Sequence, residues 1–252
     1  MKVVISLFLI VFMSFGLHAE DGHSLWLRHR KPVPVTVVCK ASSATLDIAR
    51  RELQTGWQGK TNERIVLNLK PDKRITGDGY RISSGEIQAN THLGILYGVY
   101  DMLRRQRTGM RIGDEIVHPS YERRLLNHWD NPDGSVERGY AGLSIFWRKG
   151  ADSLTVTATD RQRWEEYARA DASVGINGAV LNNVNASPRV LTPEYLNKVR
   201  AIAGILRPYG VKTYLSVNFA SPAVIGGLKT SDPLDPQVAD WWQAKVREIY
   251  AL

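Results

Sequence analysis

The sequence predicts an α/β protein in two parts: a small α+β accessory domain over residues 20–119, followed by the first three β/α units of a (β/α)8 barrel over residues 120–252. Three observations carry this prediction. Before Pro119, short β-branched runs and helical stretches alternate irregularly. After it, longer β and α segments follow one another in strict succession, the pattern of a parallel sheet. No glycine-rich phosphate loop follows the first of those later strands, which argues against a two-layer dinucleotide fold. A complete barrel takes eight units and roughly 250 residues, so three units are read as an incomplete one.

Taken in order, Met1 and Lys2 lead into an apolar run, residues 3–17, that ends in Leu17-His18-Ala19. Residues 1–19 are therefore expected to be a cleaved signal peptide. The run is shorter than the ~20 residues needed to span a bilayer, and Glu20 and Asp21 follow at once, so no stable membrane anchor is expected after cleavage. The expected location is periplasmic or extracellular. Cys39 is the single cysteine, which excludes an internal disulfide, and its β-branched setting reads as a small strand residue rather than a nucleophile.

Residues 33–39 predict a strand, and 45–54 a helix with Leu46, Ala49 and Leu53 on one face. Residues 65–69 predict a second strand, Gly77-Asp78-Gly79 a turn, and 80–83 a strand leading to Ile87. Residues 91–107 then carry Leu93, Leu96, Tyr97, Tyr100 and Leu103 at helical spacing, with Gly94 and Gly98 permitting close approach to a sheet. Arg104, Arg105, Arg107 and Arg111 close this helix where positive charge suits the dipole, and they are expected to be solvated.

Beyond Pro119, residues 123–129, 176–184 and 211–219 predict three strands, and 160–173, 192–209 and 236–252 three helices. Thr192-Pro193-Glu194 supplies a capping hydroxyl, a proline at the first helical position and an early acid, and Gly210 ends that helix. The last helix carries Val238, Trp241, Trp242, Lys245, Val246 and Ile249 as a stripe. Trp242 is expected to pack, leaving Trp241 available as a carbohydrate platform.

A barrel builds its active site at the C-terminal ends of its strands, here the residues after Leu126, Leu181 and Val217. Each end is polar: Asn127-His128-Trp129-Asp130-Asn131-Pro132-Asp133-Gly134 with Glu137 and Arg138; Asn182-Asn183-Val184-Asn185; and Asn218 with Ala220-Ser221-Pro222. A stacking aromatic beside amides and carboxylates is the inventory of a sugar pocket. Asp, Asn, Pro and Gly are also the common turn residues, and asparagines in loops commonly bond backbone, but turn chemistry does not account for His128 and Trp129.

The net charge of +8 is scattered along the chain, and aromatics do not interleave with basic residues, so no nucleic-acid partner is expected. The sequence contains no His-Glu-x-x-His, paired cysteine, phosphate loop or Gly-x-Ser-x-Gly. No metal site and no cofactor are expected.

The chain resembles the glycoside hydrolase family 67 α-glucuronidases. The resemblance rests on Arg124-Leu125-Leu126-Asn127-His128-Trp129-Asp130-Asn131, Glu137-Arg138-Gly139-Tyr140-Ala141-Gly142, Gly175 through Ala186, Gly94-Ile95-Leu96-Tyr97-Gly98-Val99-Tyr100 and Asn218-Phe219-Ala220-Ser221-Pro222. It implies an exo-acting, inverting enzyme that releases 4-O-methyl-glucuronic acid from aldouronic acids derived from glucuronoxylan, cutting the α-1,2 bond to terminal xylose. It also implies an accessory domain before the barrel, a helical domain after it, and homodimers in the full-length proteins. Carried onto this sequence, the resemblance makes Trp129 a wall for the uronic acid or its neighbouring sugar, Val184 a lining residue near the methyl group, and Glu137 a polar contact. Asn183 and Asn218 complete the candidate substrate-binding set. The catalytic carboxylates are expected beyond Leu252. Between Gly142 and Arg163 the sequence departs from the family pattern, the segment from Phe146 to Thr159 being longer than the family's loop.

Two other readings stay open on the sequence: another exo-glycosidase with a hexosaminidase-like accessory domain, and a non-catalytic periplasmic carbohydrate-binding protein.

Overall fold

A computed structural model describes residues 24–28, 31–139, 142–150 and 153–252. The expected signal peptide, residues 1–19, lies outside the described residues. Among the described residues no helix is long and apolar enough to cross a membrane.

The chain is mixed α/β and holds two sheets. The first comprises β1 (Val35–Val38), β2 (Glu63–Leu69), β3 (Tyr80–Ile82), β4 (Glu86–Ala89) and β5 (Glu115–Val117), in the order β1-β2-β4-β3-β5. The strands β1, β2 and β4 run parallel, with Val35 opposite Glu63 and Val66 opposite Glu86. Strand β3 is antiparallel to both of its neighbours, Tyr80 facing Ala89 on one side and Val117 on the other. The sequence reading missed β5, a three-residue edge strand too short to show alternation.

Helices α1 (Ala44–Gly56) and α2 (His92–Thr108) cover one face of this sheet. Ser43 caps α1 by accepting from Leu46 N–H, and Thr91 caps α2 by accepting from Gly94 N–H at 2.9 Å. Gly109 ends α2 at φ 68°, a left-handed position that glycine adopts without strain. Leu46, Ala49, Leu53, Ile95, Leu96 and Val99 are fully buried against Ile65, Ile82 and Ile87.

The close approach expected of Gly98 is real: a Cβ there would stand 2.5 Å from Ile87 Cγ2 and 3.2 Å from the Tyr80 ring. Gly98→Val should therefore overpack the helix-sheet contact and cost about 1–3 kcal/mol. Urea unfolding would read this as a lower midpoint at unchanged slope.

The arginine cluster at the end of α2 is not simply solvated. Arg104 and Arg105 pair with buried Asp101 at 2.7 and 3.0 Å, and Arg105 also pairs with Glu115 of β5. A carboxylate buried to 4 % exposure needs such partners. The Arg107 guanidinium lies over the Trp26 ring, 5.4 Å from its centroid.

The second sheet is parallel, in the order β6 (Leu125–Asn127), β7 (Gly178–Val180), β8 (Lys212–Tyr214), with Leu126, Ala179 and Thr213 in register. Helix α3 (Ala158–Ser173) joins β6 to β7, and α4 (Pro193–Leu206) joins β7 to β8. Helices α5 (Ser221–Val224) and α6 (Pro236–Tyr250) follow. The strands are shorter than the sequence runs suggested because asparagine side chains replace backbone pairing at the ends. Asn177 accepts from Arg124 N–H at 2.8 Å and donates to Glu122 O at 2.7 Å. At the other end, Asn182 donates to Ser216 O at 2.9 Å and accepts from Ser216 N–H at 3.2 Å.

Two details of the helices differ from expectation. Helix α3 begins earlier, on a reciprocal capping box between Thr157 and Asp160. Thr192 does not cap α4; its hydroxyl donates back to Arg189 O at 2.9 Å. Gly210, at φ 78°, does end the turn after α4.

The two sheets share one continuous buried core. Across their junction Glu52 of α1 takes a two-pronged ion pair from Arg169 of α3, at 2.6 and 2.9 Å, and Trp26 Nε1 donates to Ser173 Oγ at 3.0 Å. Leu93 of α2 fills the space above Gly210.

The segment between β6 and α3 is also packed inward. Trp147 Nε1 donates to Leu181 O and Trp164 Nε1 to Ile145 O, both at 2.8 Å. Buried Lys198 lies over both tryptophan rings and donates to Ser153 O at 2.6 Å. Burial lowers its ammonium to about 8, against the opposing pull of Asp160.

Candidate functional site at the strand ends

The residues after β6, β7 and β8 form one hydrogen-bonded rim. After β6 the chain makes a tight hairpin: Asp130 bridges Val136, Asn131 N–H donates to Ser135 O, and Gly134 turns the tip at φ 85°. A Cβ at Gly134 would meet the Arg148 backbone at 2.7 Å, so only glycine fits there. The turn residues are thus accounted for as a turn, as their chemistry allowed. What the hairpin accomplishes is at its neck, where Glu137 N–H donates to Trp129 O at 2.7 Å and draws Glu137 and Arg138 up to Trp129.

Trp129 is 45 % exposed. The Arg138 guanidinium lies 5.9 Å from its ring centroid, on a left-handed backbone at φ 58°. Glu137 is half-buried, and no hydrogen bond or ion pair engages its carboxylate among the described residues. Tyr140 and Ala141, which follow in the quoted motif, lie outside the described residues.

The β7 loop is tied to the β6 loop through Asn183. Its N–H and Nδ2 both donate to Asp130 O, at 2.9 and 3.2 Å, and Nδ2 also reaches Asn131 Oδ1. Its Oδ1 accepts from Asn185 N–H at 2.6 Å. The polar atoms of Asn183 are therefore committed within the protein, and what this residue offers a ligand is the shape of the rim. Next to it Val184 projects outward, 66 % exposed.

Asn218 links the third loop to the second. Its Nδ2 donates to Ala186 O at 3.4 Å and its Oδ1 accepts from Ala220 N–H at 2.9 Å. Phe219 beside it is 78 % exposed. The rim thus presents Trp129, Arg138, Val184 and Phe219 on a scaffold of asparagines. Arg138 was not singled out as a site residue from sequence; the signal was its place in the Glu137-Arg138-Gly139 motif, and only the hairpin neck puts it over Trp129.

Under the rim, His128 is held edge-on against Phe146 and Tyr167, with centroids 5.0 and 5.4 Å away. Buried Asp130 accepts from Ser144 Oγ, and that oxygen in turn accepts from Phe146 and Trp147 N–H, each at 3.0 Å. This network fixes the floor on which Trp129 stands.

Trp241 is not an open platform. It is half-buried, edge-to-face with Trp242 at 4.8 Å, backed by Gly226 and covered by Lys245. Cys39 is half-buried, its Sγ 3.4 Å from Ala41 O. A cleft lined by Tyr80, Tyr97, His118 and Arg124 lies at the opposite end of β6 and β7 from the rim. Among the described residues no group of His, Cys, Asp and Glu side chains could hold a metal ion.

Comparison with known proteins adds three findings. Residues 104–252 match the glycosyl hydrolase family 67 middle domain. The alpha-glucuronidase A of Aspergillus tubingensis is 36% identical over 92% of this chain, and the probable alpha-glucuronidase A of Neosartorya fischeri 41% identical over 92%. This chain spans only about a third of such relatives, 32% of each of those two. Among solved structures, a GH138 enzyme targeting pectin rhamnogalacturonan II aligns with TM-score 0.51 at 16% identity, over 84% of this chain and 36% of that one. CpGH84B aligns with TM-score 0.50 at 13% identity, over 86% and 38%. These two likenesses concern the fold alone.

Proposed function

Because the chain belongs to glycosyl hydrolase family 67, we propose that it forms part of an exported α-glucuronidase. The substrates are aldouronic acids from glucuronoxylan, from which the enzyme releases (4-O-methyl-)glucuronic acid with inversion. The observation that carries the reading is the rim itself: Trp129 stands exposed with Arg138 over its ring, beside outward-facing Val184 on the adjoining loop. An indole face suits the apolar face of a sugar ring, and a guanidinium is the side chain best shaped to meet a carboxylate. Val184 would lie against the methyl group, and the carboxylate of Glu137, unengaged among the described residues, would accept from a sugar hydroxyl. Asn183 and Asn218 hold the loops that carry these groups.

In this reading residues 20–119 are the accessory domain and residues 120–252 the opening units of a (β/α)8 barrel. Inversion requires an acid to protonate the leaving oxygen and a carboxylate base to activate water, about 6.5–9.5 Å apart. Those carboxylates would come from later strands, beyond Leu252. Periplasmic or extracellular location, cleavage after residue 19 and homodimerisation through a later domain belong to the same proposal.

The test is release of glucuronic acid from aldouronic acids by a polypeptide extending this chain to the length of its relatives. Trp129→Ala in that protein should lower kcat/KM roughly 30-fold, the loss of about 2 kcal/mol of contact in a central pocket position. A folded full-length protein that releases no glucuronic acid overturns the reading.

A further inference from the structure

The backbone of Trp129 is fixed on both sides, but its indole is not. His128 before it lies edge-on against Phe146 and Tyr167, and the Trp129 carbonyl accepts from Glu137 N–H at 2.7 Å. The side chain is 45 % exposed, and among the described residues no acceptor takes its Nε1 proton and no aromatic ring packs on it. The group that lies over the ring is the Arg138 guanidinium. At 5.9 Å from the centroid it is within the range in which a cation is attracted to an indole face.

The backbone at Arg138 shows that this side chain is placed at a cost. The described residues between Asp130 and Gly142 include four left-handed positions: Gly134, Gly139 and Gly142 at φ 85°, 68° and 72°, and Arg138 at φ 58° and ψ 7°. Glycine adopts that region freely, whereas a Cβ there crowds the following carbonyl oxygen. The turn is set by its neighbours: Val136 bridges Asp130, Glu137 N–H reaches Trp129 O, and Gly139 N–H closes back on Val136 O at 3.0 Å. A glycine at position 138 would keep all of these contacts with less strain, so the hairpin itself does not call for an arginine. Backbone strain of this kind persists where a side chain must be aimed.

We propose that Arg138 is a positioning residue for Trp129: held in a left-handed turn beyond the hairpin neck, its guanidinium braces one face of the indole and presents the other face to the sugar ring of the substrate.

An exposed indole without such a brace would sample several rotamers, and each binding event would have to freeze one of them. Bracing moves that ordering cost from binding into folding. A planar guanidinium suits the task because it stacks on a ring while its N–H groups, which lie in its own plane, stay available. Among the described residues no hydrogen bond or ion pair draws the Arg138 guanidinium away from the ring.

The purpose of this brace rests on the reading of Trp129 as a sugar platform, but the brace itself is tested without substrate. The polypeptide extended to the length of its relatives is labelled with 5-fluorotryptophan, and Trp129→Phe assigns the Trp129 fluorine signal. In Arg138→Gly, which relieves the left-handed strain and is expected to fold, that signal should move toward the position of a solvent-exposed indole. Arg138→Lys keeps a cation beside the ring and should return the signal most of the way. With aldouronic acids, Arg138→Gly should raise KM roughly fivefold while kcat changes little. In a Trp129→Ala background the same substitution should cost clearly less, because a residue that acts through the indole has lost what it positions. Equal costs in the two backgrounds would assign the whole effect to direct contact with the substrate carboxylate and overturn the positioning role. An unmoved Trp129 signal or an unchanged KM in Arg138→Gly, or a lysine variant as displaced as the glycine one, overturns it as well. Release of no glucuronic acid by the parent polypeptide would instead overturn the substrate reading, and the fluorine signal would still decide the brace.

Discussion

Glu52→Ala is expected to cost about 3–5 kcal/mol of stability, because it strands the Arg169 guanidinium in the junction between the two sheets. The pair is two-pronged, Arg169 Nε at 2.6 Å and Nη2 at 2.9 Å, with only 5 % of the Glu52 side chain exposed. Removing both partners is a different matter. The double variant Glu52→Leu with Arg169→Leu should recover most of the loss, since apolar residues of similar size offset the desolvation that the ion pair must overcome. Chemical denaturation of the two variants measures both values. Equal losses in the single and double variants would show that packing, not stranded charge, sets the cost. The same experiment reads how tightly the sheets are joined, because the shared core predicts one cooperative transition in the parent protein.

The second large effect concerns Asp171 and pH. Its carboxyl is raised from 3.8 to about 7 by burial, with the Tyr167 hydroxyl pulling the other way. Between those values the unfolded chain has lost a proton that the folded chain still holds. Stability is therefore fully present below pH ~4 and falls as pH rises toward 7, at about 1.4 kcal/mol per unit and by on the order of 4 kcal/mol in all. Asp171→Asn should flatten this slope and leave the protein more stable than the parent at pH 8. Unfolding free energies at pH 5, 6, 7 and 8 decide it. Parallel profiles for parent and variant would place the slope on another group.

Much of the fold was legible because it depends on local signals. The helical spacing of Leu93, Leu96, Tyr100 and Leu103 located α2, and the small residues Gly94 and Gly98 announced its close approach to β3 and β4. Alternating β and α segments after Pro119 located three parallel strands. Their lengths were not legible, because Asn177 and Asn182 take over the pairing through side chains, and a sequence does not say which asparagine will meet a neighbouring strand. Strand β5 and the pairing of Arg104 and Arg105 with Asp101 were hidden for a similar reason: each depends on a partner distant in sequence or on which side of the helix is covered.

The candidate site divides the same way. Polar strand ends pointed to the loops that hold Trp129, Asn183 and Asn218, and the family resemblance pointed to Val184 and Glu137; all of these loops lie on one edge because a parallel sheet collects them there. Their separate tasks required three dimensions. Only the hairpin neck puts Arg138 over Trp129 and turns the Asn183 amide into the tie between two loops, while Trp241 is folded against Trp242. Sequence by itself determined the periodicities, the turn chemistry and the family motifs, all of which act over a few neighbouring residues. Tertiary structure alone decided which polar groups are satisfied internally and which face outward. That outcome follows from desolvation: a buried amide or carboxylate must find a partner wherever the fold supplies one.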